Sequence, residues 1–193
     1  MLRKRKHGRV LVLVATLIGI WSTVAMGQVH DAAISVSMSA ESAIQITFSQ
    51  APSGCPLTPA PDYSNVSLYL GTFDNNGNNT GCAAYFRNTP SNPRYTISTG
   101  FDVQVDKFYS GSSSYTLSVR LQSPPPGPAS ALNYLIQQGT SGTQTSLSTT
   151  PQIVIPNATY GSPFLQVLSI QVHSSTAPVG VIARTIEYSA VAN

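Results

Sequence analysis

Charge is what this sequence has least of. Its 193 residues hold ten Lys or Arg and seven Asp or Glu, and five of the ten (Arg3, Lys4, Arg5, Lys6 and Arg9) fall in the first nine positions. Past them no basic cluster remains to neutralise phosphates, so a sequence pI near 9.0 is no ground for expecting nucleic-acid binding. Cysteine is limited to Cys55 and Cys82, and histidine to His7, His30 and His173. Neither Cys has a His nearby, which argues against a zinc centre. Apolar runs are short beyond residue 26, and nothing later approaches the roughly 18 residues a membrane-spanning helix requires. No stretch of ten or more residues shows a convincing 3.6-residue period. Residues 129–138 come nearest, yet Asn133-Tyr134 at their centre reads equally as strand.

What is present begins at the N-terminus. The basic residues lead into an apolar run from Val10 to Ile20, followed by Trp21 and a small-x-small end at Ala25 and Gly27. This is the pattern of a secretory signal peptide cut after Gly27; at 17 residues, positions 10–26 sit at the lower limit for a retained anchor. The expected division is a signal peptide over 1–27 and one domain over 28–193, in the periplasm, outside the cell or on its surface. The mature part keeps five basic residues and all seven acidic ones, so its formal net charge changes from +3 to −2. In an oxidising compartment an even cysteine count points to a Cys55–Cys82 disulfide.

Period-two alternation dominates the mature chain. Ile34, Val36 and Met38 alternate with serines; Ile44, Ile46 and Phe48 with Gln45 and Thr47; Val66, Leu68 and Leu70 with Ser67 and Tyr69. Phe101, Val103 and Val105 alternate with Asp102, Gln104 and Asp106, and Tyr115, Leu117, Val119 and Leu121 with Thr116, Ser118 and Arg120. Successive strand side chains point to opposite faces, so each run has one buried and one wet face. Residues 132–136, 153–155, 164–172 and 181–192 continue the pattern less cleanly, the last two as nearly buried runs. Asn, Gly and Pro clusters at 51–61, 74–79, 110–114, 124–128 and 139–142 separate the runs. The fold class is therefore all-β, an antiparallel immunoglobulin-like sandwich with one disulfide; a closed barrel is the alternative.

Candidate chemistry is thin. Asp102 and Asp106 share one strand face, but four residues put their Cα atoms about 13 Å apart, wider than the roughly 5–10 Å of glycosidase pairs. Residues 74–79 carry oxygen ligands, but only one carboxylate and a Gly too early for an EF-hand, so a hairpin turn is expected there. A hydrolytic triad would have to be built on His30 or His173, and no Gly-x-Ser-x-Gly is present. No catalytic residue, metal or cofactor is assigned. Exposed aromatics suit a glycan better: Tyr69 sits on the polar side of its strand and Tyr109 at a strand end. Asn65, Asn78 and Asn157 begin N-glycosylation triplets.

The closing stretch, from Ala177-Pro178-Val179-Gly180 through Thr185, Ile186 and Tyr188 to Asn193, resembles the last strand of exported bacterial pilin-like and spore-coat-U-like domains. Leu70-Gly71-Thr72-Phe73 is similar to their short Gly-aromatic segment. The chain departs from coat-U-like domains in having no Cys near its mature N-terminus, the first being Cys55. The resemblance implies an immunoglobulin-like sandwich in a surface fibre or coat, with no catalytic residues. On that reading residues 28–40, with Ile34, Val36 and Met38, form a strand for subunit pairing; an ordinary first strand is the alternative. The expectation is a secreted, non-enzymatic structural or adhesive protein that associates with itself or other surface proteins, with a glycan- or ligand-binding module as the second choice.

Overall fold

The computed structural model describes residues 29–40, 44–59, 65–74, 79–87, 94–108, 111–127, 131–173 and 180–193. The expected signal peptide lies outside the described residues, as do Tyr109 and the side chain of Met38. Every regular element described is a strand. Numbered along the chain, β1 (Val29–Ala40), β3 (Leu57–Pro59), β4 (Asn65–Asp74), β5 (Asn79–Thr80), β8 (Tyr115–Leu121), β11 (Gln152–Ala158) and β13 (Gly180–Ala192) form one sheet. The other contains β2 (Ile44–Gln50), β6 (Ala84–Arg87), β7 (Arg94–Lys107), β9 (Leu132–Gln138), β10 (Thr145–Ser146) and β12 (Phe164–His173). The first sheet runs β11-β8-β13-β1-β4-β3, with β5 also on β4; the second runs β10-β9-β12-β7-β2, with β6 also on β7.

The two sheets pack face to face, as the alternation requires. Along β7 from Arg94 to Asp106, and along all of β8, buried and half-buried residues alternate. One cluster joins Ile34, Leu68, Leu117, Ile182 and Tyr188 of the first sheet to Ile46, Phe101, Val103, Leu168 and Ile170 of the second. The Tyr188 ring meets Phe48 at 5.2 Å and Phe101 at 6.2 Å, both edge-to-face, across the interface between sheets. The arrangement is an all-β sandwich compatible with an immunoglobulin-like architecture. Residues 132–138 form β9, which settles the one segment that reads both as helix and as strand.

One pairing departs from the all-antiparallel expectation. β1 and β13 run parallel, in register from His30 beside Gly180 to Ala40 beside Ala190. Alternation fixes which face a residue occupies but carries no information on strand direction. The first described strand is therefore not an edge: β13 flanks it on one side and β4, antiparallel, on the other. The β1–β4 register slips between Ala32 and Ala33, which pair with Gly71 and Tyr69. The bulge rests on glycine. Gly71 has φ +113°, and a Cβ there would overlap the carbonyl of Thr80. The Gly-aromatic segment thus bends β4 while Leu70 and Phe73 stay in the core.

Candidate functional site

Cys55 and Cys82 are joined, with Cα atoms 5.1 Å apart. Cys55 lies where the chain crosses from β2 to β3, and Cys82 where it crosses from β5 to β6, so the bond ties together two crossings between the sheets. Cys55 is fully buried, and its N–H donates to Thr99 Oγ1 of β7 at 2.8 Å. Closing a loop with a sequence separation of 27 stabilises by about 3.5 kcal/mol on the chain-entropy argument.

Tyr69 stands on the outer face of β4, 54 % exposed. Its hydroxyl pairs with Thr72 Oγ1 at 3.0 Å, and its carbonyl oxygen lies 3.2 Å from Cys82 Sγ. In the row across the sheet its neighbours are Ala33 of β1 and then Ala183 of β13. Such small side chains leave the ring uncovered on that side. The hydroxyls of Ser35 and Thr185 occupy the next row on the same face. A fixed phenol beside small residues and hydroxyls is a surface on which a sugar ring can stack.

Ile34 and Val36 point the other way. Both are essentially unexposed and belong to the core cluster. Met38 pairs with Tyr188 in the β1–β13 ladder. The segment singled out for subunit pairing therefore sits between two strands of its own sheet, with Ile34 and Val36 turned into the sandwich.

The remaining candidates resolve into local structure. Gln104 Nε2 donates to both carboxylate oxygens of Asp106, at 2.9 and 3.0 Å, so the wet face of β7 satisfies that acid with its own neighbour. The strands flanking residues 74–79 pair antiparallel, Phe73 with Asn79, as a hairpin requires; residues 75–78 lie outside the described residues. His173 ends β12, half-buried, opposite Arg94. Among the described residues no group of three or more His, Cys, Asp or Glu is placed to hold a metal ion, and no helix is long and apolar enough to cross a membrane.

Sequence reading did not show that four inward side chains bury polar atoms without a partner. The hydroxyls of Tyr115, Tyr134 and Tyr188, and both polar atoms of Gln166, are buried with no hydrogen-bond partner among the described residues. Burial pushes Tyr134 up to about 12, against the opposing pull of Arg184, and raises Tyr188 and Tyr115 as well. Tyr is common in strands and gave no warning. Gln166 did leave a trace, as an amide inside the apolar run Phe164-Leu165-Gln166-Val167-Leu168. Comparison with protein-family models and with curated proteins gives no match.

Proposed function

We propose that this chain is an exported, non-enzymatic structural or adhesive subunit of a cell-surface fibre or coat, assembled by exchange of β1 between neighbouring copies. The observation that carries the reading is the position of β1. This first described strand occupies a slot between β13 and β4, hydrogen-bonded on both sides, and only residues 41–43 separate it from β2 in the opposite sheet. A neighbour's β1 would make the same two ladders and bury the same Ile34 and Val36, so exchange costs few contacts and links copies head to tail. The signal-peptide-like pattern of residues 1–27, the disulfide and the low charge content agree with export.

A cross-link tests it. Ser35 and Thr185 are register partners on the outer face, and parallel neighbours lie within the Cα range of a disulfide. In the double variant Ser35→Cys/Thr185→Cys, exchange yields a ladder of covalent oligomers on non-reducing gels that collapses on reduction. A cross-linked monomer at every concentration would overturn the reading.

The second reading, a glycan-binding module, has one observation in its favour: the exposed Tyr69 ring, held by Thr72 beside Ala33 and Ala183. Saturable sugar binding that Tyr69→Ala abolishes would establish it.

A further inference from the structure

A cavity of about 220 Å³ opens where the sides of the two sheets part, between β9 and β10 of one sheet and the edge strand β11 of the other. Ile136, Gln138, Thr143, Thr145, Ile153 and Gln166 are among its walls. The far wall is unusual. Gln166 faces inward from β12 and is wholly buried, yet neither its Oε1 nor its Nε2 meets a partner among the described residues. An unpaired buried amide costs stability, and a leucine would fill the same space without that cost. The near wall is held in shape. Gly142 packs so closely on the end of β9 that a Cβ would overlap the carbonyl oxygen of Gln138. Ile153, 65 % exposed, stands at the mouth.

The chemistry of the walls selects a class of ligand. No charged side chain lines the cavity, so an anion or cation would enter without a counter-charge and lose its hydration. A carboxamide offers donors and an acceptor side by side, and threonine hydroxyls offer both. Their complement is a molecule whose own groups donate and accept, on a frame with an apolar face for Ile136 and Ile153. The volume lies below the roughly 300–1,000 Å³ of sites for drug-sized ligands, which limits the occupant to one ring.

We propose that this cavity binds a single neutral sugar residue, with the Gln166 carboxamide engaging adjacent hydroxyls at its inner end. Without ligand the amide is covered; it turns into the cavity about its terminal torsion, whose energy wells are broad. The site is separate from Tyr69 and does not depend on assembly.

The test is ligand-observed saturation-transfer NMR on the mature chain, with the methyl glycosides of glucose, galactose, mannose and N-acetylglucosamine as probes at millimolar concentration. At least one probe should receive saturation from the wild type. Gln166→Leu should weaken that binding by at least about tenfold while raising Tm, because it removes the unpaired amide. Thr145→Val, which removes a hydroxyl from the wall, should weaken it too, and it keeps the test intact if Gln166→Leu fails to fold. Phe86→Ala, an exposed ring on β6 away from the cavity, should leave it unchanged. Absence of saturation from every probe, binding unaltered in both cavity variants, or binding lost in Tyr69→Ala alone would overturn the proposal.

Discussion

β1 and β12 are built on the same alternation and lie in opposite sheets, but they spend their inward positions differently. In β1, Ile34 and Val36 fill theirs with carbon and leave nothing unsatisfied. In β12, Leu168, Ile170 and Val172 do the same, and Gln166 breaks the row with an amide that no neighbour among the described residues meets. The difference separates two kinds of sequence constraint. An apolar inward residue is explained by the fold alone, because burial is its function. A polar inward residue without a partner among the described residues is a cost that apolar burial does not explain.

The contrast can be broken most severely at β1. Val36→Asp places a carboxylate at a fully buried position with core residues on every side. We expect loss of the cooperative unfolding transition, a cost above about 4 kcal/mol, seen as a chain without protected amides in hydrogen exchange. Retention of a sharp thermal transition would show that β1 does not belong to the core. Next comes the disulfide. Cys55→Ala/Cys82→Ala should lower stability by about 3.5 kcal/mol in denaturant titration while leaving the sheet intact by circular dichroism.

Alkali sharpens the comparison at the other orphaned groups. The folded-state pKa of Tyr134 is about 12, above the ordinary 10.0, so the folded state holds a proton that the unfolded state releases. That contribution is complete below pH 10 and is lost as the pH rises from about 10 to 12, by up to about 2.7 kcal/mol for a two-unit shift. Tyr188 and Tyr115 act in the same direction. Tyr134→Phe/Tyr188→Phe should therefore move the alkaline unfolding midpoint upward, as followed by tyrosinate absorbance; an unmoved midpoint would show that these hydroxyls are not buried. The smallest effect belongs to Arg120→Ala. Its guanidinium donates to Glu187 Oε2 at 3.0 and 2.8 Å across β8 and β13, a partly exposed pair worth less than about 1 kcal/mol. A larger loss in urea titration would mark that row as more than surface.

Much of this architecture is legible in period-two alternation. Phe101, Val103 and Val105 lie inward, Asp102, Gln104 and Asp106 lie on the wetter face, and the two cysteines pair. Three things were hidden, each for a physical reason. β7 begins at Arg94, seven residues before the evident run, because Ser98, Thr99 and Gly100 dilute the pattern although Tyr95 and Ile97 keep it. Strand direction and neighbours depend on contacts between distant segments, so the parallel β1–β13 ladder leaves no local mark. Of the candidate residues, Tyr69 is exposed as its alternation indicates. The cavity at Gln166 needed the second sheet, since one amide in an apolar run does not show whether it meets a partner.

The parallel ladder also sets an order of events. β4 follows β1 soon after it leaves the ribosome or a translocation channel. The other neighbour of β1 is β13, the last described strand, with His30 and Gly180 separated by 150 residues. One edge of β1 must stay open until β13 has been made, and loops of that span close slowly. During that interval β1 is a donor without its final acceptor. A chain stopped before Gly180 would keep this open edge permanently, so β13 acts as the lock that ends the period in which β1 can pair with the wrong strand.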